Sequence, residues 1–152
     1  MGKTLIAGFG NILMGDDGAG IYLIQKMSEC QLPEQVELLD GGVNSFAALA
    51  ALQGATLAIL IDTMKGGGEP GDIYRLTQEQ LDSQSCEMQL SLHDFSLMES
   101  LRLAQKMEGL PPVIIYGIEP ATVELRMGLS TPVEKAVDAV MAKIFEDLRT
   151  NC

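Results

Sequence analysis

The sequence predicts an α/β protein with three layers, in which helices cover both faces of a mostly parallel sheet of roughly five strands. Short apolar runs alternate along the chain with segments of helical periodicity, the usual pattern of such folds. Residues 55–61 are almost entirely apolar without alternation, as expected of a central strand covered on both faces. The 152 residues suffice for one compact core, so we expect residues 1–152 to form a single domain.

The strands are predicted from apolar runs that end in glycine or in an acidic residue. They lie at about residues 3–8, 36–40, 55–61 and 113–118, with 72–76 as an antiparallel edge strand and 122–127 as an outer strand.

The helices are predicted from periodicity and from two capping boxes, Ser91–Asp94 and Thr131–Glu134. They span about residues 17–30, 46–52 and 91–107, and a last helix follows residue 131. The apolar face of that last helix consists of Val133, Val137, Val140, Ile144 and Leu148.

Composition excludes several classes of protein. A net charge of −11 argues against nucleic acid or an anionic membrane surface as the partner, and suits a metal or a basic partner. Residues 55–61 are the longest apolar stretch, far below the roughly 20 residues of a membrane-spanning helix. The cysteines Cys30, Cys86 and Cys152 are odd in number and widely separated, so we expect no disulfide framework and a cytoplasmic location.

The first loop, residues 8–18, lies between a predicted strand and a predicted helix. Its glycines suggest a phosphate-binding turn, but Asp16 and Asp17 stand where the helix begins. Two carboxylates there would repel a pyrophosphate and attract a cation. We therefore expect a cation site at this loop.

Acidic residues follow most of the predicted parallel strands, whose carboxyl ends meet at one edge of the sheet. The predicted helix from Ser91 begins at that edge, because it runs back towards the start of the strand at 113–118. The edge therefore gathers Asp16, Asp17, Asp40, Asp62, Glu119 and His93, the only histidine.

One imidazole with two or three carboxylates suits a first-row divalent metal such as Ni, Zn, Fe or Mn, whereas calcium would take more oxygens and no histidine. Each residue also has a simpler interpretation. Asp17 can cap its helix, Asp62 can end a buried strand, Asp40 can serve a turn, and His93 can be an ordinary surface residue. Their joint placement on one edge favours a site.

Other chemistries find less support. A dinucleotide fingerprint needs G-x-G-x-x-G, and Leu13 occupies the place of the third glycine, although Asp40 could imitate the acid that binds ribose. Neither a G-x-S-x-G elbow nor a G-K-S/T phosphate loop is present.

Six motifs in order along most of the chain resemble the NiFe-hydrogenase maturation endopeptidases. They are Gly8-x-Gly10-Asn11-x-Leu13, Asp16-Asp17-Gly18, Asp40-Gly41-Gly42, Ile61-Asp62, Ser91-Leu92-His93-Asp94 and Gly117-Ile118-Glu119-Pro120.

The resemblance implies an α/β/α sandwich and an endopeptidase that removes a C-terminal extension from the hydrogenase large-subunit precursor. The glycines of the first loop would then let it run close to a bound substrate strand. It places the metal-contacting and catalytic positions at Asp17, Asp62 and His93. To Asp16 and Asp40 we assign supporting roles, as base or as orienting group. The implied metal is Ni2+ brought by the precursor, with Zn2+ or Cd2+ as surrogates in crystals, and no organic cofactor is expected.

Two departures and two alternatives accompany this interpretation. Val43-Asn44 stand where relatives commonly have threonine after Asp-Gly-Gly, and Glu119 stands where relatives often have glutamine. The alternatives to a protease are a non-catalytic, metal-dependent chaperone or binding module for the same subunit, and a dinucleotide-binding domain.

Overall fold

The computed structural model describes residues 2–43, 50–77, 79–80, 101 and 109–150. Five strands form one sheet in the order β2-β1-β3-β5-β4. The strands are β1 (Lys3–Phe9), β2 (Val36–Gly42), β3 (Ala55–Thr63), β4 (Ile73–Thr77) and β5 (Val113–Ile118).

The sheet is parallel except at one edge. β1 pairs in parallel with β2 and with β3, and β3 pairs in parallel with β5. β4 pairs antiparallel with β5 and forms an edge, as the alternating segment predicts. Four carboxyl ends therefore meet at one edge of the sheet, which we call the carboxyl edge.

Two long helices are described. A 3-10 turn, Gly15–Gly18, leads into α1, Ala19–Ser28, and α2 spans Thr131–Thr150. The apolar face of α2 is buried as its spacing predicts, from Val133 to Leu148. Among the described residues, no helix combines the length and the apolar character that crossing a membrane requires.

Alternate residues of the central strands pack into two separate hydrophobic cores. Ile59 and Ile61 of β3 pack in a core with α1 and α2, whereas Ala58 and Leu60 pack in another with Leu52 and Leu101. Because successive strand residues point to opposite faces, the two cores lie on opposite sides of the sheet. This confirms the predicted three-layer α/β fold.

Several sequence predictions need correction or lie outside the described residues. Residues 122–127 form no strand, and only an isolated bridge joins Arg126 to Met14. The place beside β5 is taken by β4 instead. The predicted helix at 91–107 lies outside the described residues except for Leu101, as does most of the one at 46–52.

Candidate functional site

Asp17 lies in the 3-10 turn after β1, at the carboxyl edge, and only 2 % of it is exposed. The backbone N–H of Asn11 donates to Asp17 Oδ2 at 3.0 Å, and the Thr63 hydroxyl donates to Oδ1 at 3.2 Å. The N-cap residue of α1 is Gly18, and no side chain caps that helix. The interpretation of Asp17 as a simple helix cap therefore finds no support.

Asp62 lies within β3, one residue before the end of the strand, and pairs with Gly117 of β5. Its Oδ1 accepts a hydrogen bond from the Thr63 backbone N–H at 2.8 Å. Its Oδ2 is buried and has no hydrogen-bond partner in the described part of the chain. A buried oxygen left in this way is unusual and raises the energy of the folded state by about 1–3 kcal/mol.

The charge of Asp62 is also disfavoured. Burial away from water raises the pKa of its carboxyl well above the usual value. The hydrogen bond from Thr63 partly opposes that rise, and the negative charge of Asp17 adds to it. The two carboxylates are therefore close enough to repel each other, and a cation between them would relieve both the repulsion and the unsatisfied oxygen.

Thr63 joins the two carboxylates through both of its donors. Its backbone N–H binds Asp62, and its hydroxyl binds Asp17, 46 residues earlier in the chain. Sequence reasoning missed this residue. The available signal was its place directly after Asp62, because a hydroxyl at the end of a central strand can reach the loops of neighbouring strands.

Asp16 is fully buried and accepts four hydrogen bonds from one loop. The donors are the backbone N–H groups of Ala121, Thr122 and Ser130 and the hydroxyl of Ser130, at 2.7–3.2 Å. Both of its oxygens thus hold residues 121–130, the loop after β5, in place. This arrangement fits a positioning residue better than a base that takes a proton from water.

Asp40 and Glu119 also lie at the carboxyl edge, but each serves a turn. Asp40 is exposed, and its Oδ1 accepts from the backbone N–H of Gly42 at 2.9 Å. Glu119 is buried and accepts from the Gly66 N–H at 3.2 Å and from the Tyr74 hydroxyl at 3.4 Å. The carboxylate at 119 therefore fastens the loop between β3 and β4.

The glycines of the first loop are explained by packing within the protein. Gly10 has φ +133°, and a Cβ there would lie 1.8 Å from the carbonyl oxygen of Asp17. A Cβ at Gly20, which follows the loop in the first turn of α1, would lie 2.6 Å from the Ile61 carbonyl oxygen. These close approaches bring the loop, α1 and β3 together. The expectation that the glycines make room for a substrate strand is not needed to explain them.

His93, the third residue in the sequence prediction, lies outside the described residues. Among the described ones, no group of three or more histidine, cysteine or acidic side chains could hold a metal ion. Asp17 and Asp62 supply carboxylate oxygens, which suit a divalent cation, and Asp62 Oδ2 is still available as an acceptor. The two carboxylates therefore fit a divalent metal as partial ligands.

The fold and this pair of buried carboxylates define an α/β protein with a candidate site at the carboxyl edge of its sheet. A family model described as hydrogenase maturation protease matches residues 21–147. The chain belongs to that family, and it is accordingly a hydrolase of the endopeptidase type.

Individual relatives agree with the family match. The chain is 30% identical over 149 residues to a putative hydrogenase maturation protease of Methanocaldococcus jannaschii, covering 95% of this chain and 96% of the relative. It is 29% identical over 150 residues to the hydrogenase expression/formation protein HupD of Rhodobacter capsulatus, covering 97% and 71%. The fold is similar to that of the hydrogenase maturating endopeptidase HybD from E. coli, with TM-score 0.84 and 24% identity over 98% and 93% of the two chains.

Proposed function

We propose that this chain removes the C-terminal extension of a nickel-loaded NiFe-hydrogenase large-subunit precursor, and that Asp17 and Asp62 bind the nickel the precursor carries. Family membership supports the hydrogenase maturation role. The observation that carries the finer proposal is Asp62 Oδ2, a buried acceptor with no partner in the described part of the chain, close to a second carboxylate.

The electrostatics explain why the metal would come with the client. The raised pKa of Asp62 means that the folded chain alone disfavours two charges at this place. A divalent cation offsets the cost of burying the Asp62 charge and the smaller repulsion from Asp17, so binding a metal-loaded precursor is favoured over binding an empty one. The chain would therefore prefer a precursor that already carries nickel, because the Asp62 carboxylate is buried. This preference would prevent cleavage before the metal is inserted.

The residues of this chain have separate roles in the proposal. Asp17 and Asp62 contact the metal, and Thr63 sets their relative orientation by donating to both. Asp16 holds the 121–130 loop in place beside them. His93 is proposed as the third ligand and Asp40 as a supporting group. A nickel ion placed next to the scissile carbonyl would polarise it and lower the pKa of an attacking water.

The first loop gives no support to the dinucleotide alternative. A phosphate site uses free backbone N–H groups at a helix start. Here the N–H of Asn11 donates to Asp17, and the N–H of Asp17 donates to the Met14 carbonyl oxygen. The two carboxylates at this turn would also repel a pyrophosphate.

The test uses purified precursor in nickel-loaded and metal-free forms, each incubated with the chain and followed by mass spectrometry. We expect loss of the C-terminal peptide from the loaded precursor alone. Nickel-dependent binding without any loss of mass would instead identify the chain as a binding module. Equal cleavage of both forms would refute the role of the metal.

A further inference from the structure

Large apolar side chains are exposed at four positions in the described part of the chain. They are Leu13, Val43, Leu125 and Met127, of which 53–83 % is exposed. Single exposed apolar residues are common on proteins, but a group on one surface usually marks a place of interaction.

All four residues lie on one side of the molecule. Leu13 follows β1, Val43 follows β2, and Leu125 and Met127 lie in the loop after β5. Since these strands are parallel within one sheet, the three loops emerge at the carboxyl edge, where Asp17 and Asp62 lie. We call these four residues the apolar rim.

Backbone hydrogen bonds join the three loops to one another. The Arg126 N–H donates to the Leu13 carbonyl oxygen at 3.0 Å, and the Gly15 N–H donates to the Arg126 carbonyl oxygen at 2.8 Å. The Gly10 N–H donates to the Gly42 carbonyl oxygen at 2.9 Å, next to Val43. The apolar rim is therefore a set of side chains whose loops are fixed relative to each other.

Asn11 and Asp16 connect the apolar rim to the carboxylate pair. Asn11 donates through its backbone N–H to Asp17 and accepts through Oδ1 from the Leu13 N–H at 2.9 Å. Asp16, next to Asp17, holds both ends of the loop that carries Leu125 and Met127. A polypeptide seated on the apolar rim would therefore lie beside Asp17.

We propose that the apolar rim is the docking surface for apolar residues of the large-subunit precursor next to its scissile peptide bond. This inference rests on the proposed function, since it is the precursor that must reach the carboxylates. The net charge of −11 disfavours a second copy of the chain and an acidic segment as occupants. The segment that binds is therefore apolar, with neutral or basic residues around it.

The test replaces Leu125 and Met127 together, as Leu125→Ser with Met127→Ser. Both side chains are mostly exposed, so the melting temperature should stay close to that of the wild type. The matched control is Ala139→Ser with Ala142→Ser, on the exposed face of α2. The dissociation constant for nickel-loaded precursor, kcat and KM are measured for all three proteins.

We expect the rim variant to raise Kd and KM by roughly tenfold or more, because two apolar side chains lose their burial in the complex. Its kcat should stay within about twofold, as expected when an interaction contributes equally to substrate and transition-state binding. The control should match the wild type in all three quantities.

Three outcomes would contradict the docking surface, its occupant or the proposed function. Unchanged Kd and KM in the rim variant would overturn the docking surface and leave the proposed function intact. A self-associating wild type, made monomeric by the same substitutions without loss of precursor affinity, would assign the rim to a second copy. Rim-dependent binding of a precursor that is never shortened would refute the peptidase function and support the docking surface.

Discussion

Asp62→Asn should make the metal-free protein more stable at neutral pH while it abolishes cleavage. The substitution keeps Oδ1 as acceptor for the Thr63 N–H and removes a buried charge that lacks a partner in the described part of the chain. Asn still places a buried amide group where Oδ2 stood, so the gain comes from removing the charge that burial disfavours; about 2 kcal/mol is the order that such a group costs. In a chain of this length, 2 kcal/mol corresponds to a rise in melting temperature of roughly 4–8 °C.

The direction of the pKa shift determines how the stability difference between the wild type and Asp62→Asn changes with pH. Burial raises the pKa of Asp62 in the folded state, so the folded chain binds a proton that the unfolded chain has already released. The contribution of Asp62 to stability is then complete below the unfolded pKa and is lost as pH rises through the folded pKa. Within that window the wild type loses about 1.4 kcal/mol per pH unit relative to Asp62→Asn.

The assay compares melting temperatures of the wild type and Asp62→Asn from acidic to neutral pH in the presence of a chelator. Asp138→Asn is the control, since Asp138 is exposed and forms a surface ion pair with Lys26, a kind of pair worth about 0–1 kcal/mol. The advantage of Asp62→Asn should grow as pH rises and then level off, while the control shows no such growth. A constant or negative difference would refute the argument about burial.

Substitutions at four further positions separate the roles of neighbouring groups. Asp16→Ala should lower the free energy of unfolding by roughly 3 kcal/mol or more, because the donors of the 121–130 loop lose their acceptor. Denaturant titration measures this free energy, and a loss below about 1 kcal/mol would contradict the prediction. Thr63→Val should lower the cleavage rate about tenfold and the free energy of unfolding by about 1–3 kcal/mol, because the buried Asp17 Oδ1 loses this donor, and Thr63→Ser should restore both. Full activity of the valine variant would refute the orienting role. Gly10→Ala should displace Asp17 and inactivate the enzyme, because the added Cβ would collide with the Asp17 carbonyl oxygen and backbone strain of this kind costs about 1–3 kcal/mol. A crystal structure of the variant with an unmoved loop would contradict this prediction. Tyr116→Phe should lower the free energy of unfolding by about 1 kcal/mol, because the hydrogen bonds of its hydroxyl with Arg75 and Asp147 are lost, but the cleavage rate should not change. A slower reaction would mean that these residues also belong to the site.

The parts of the fold that follow from local pattern could be predicted. The apolar run of β3 and the spacing along α2 depend on neighbours in sequence, and both were placed correctly apart from their ends. The prediction of a strand at 122–127 was wrong, because the alternation there reflects exposed apolar residues of a loop. That loop is held by Asp16, from 105 residues earlier, and no local pattern shows such a contact.

The candidate site could be predicted only in part. Asp17 and Asp62 could be placed at one edge because parallel strands align their carboxyl ends. Their connection through Thr63 could not, since it depends on the distance between two loops after folding. Asp16 and Asp17 are adjacent and chemically alike, yet one binds the 121–130 loop and the other lies beside Asp62. Only the path of the backbone separates their roles.

The most direct test of the carboxylate pair compares cleavage of nickel-loaded precursor by the wild type, Asp17→Asn, Asp62→Asn, His93→Ala and the control Asp138→Asn, read as the mass of the precursor. We predict that the wild type and the control shorten the precursor, and that the other three variants do not while they remain folded. Cleavage at the wild-type rate by folded Asp17→Asn and Asp62→Asn would contradict the assignment of the site.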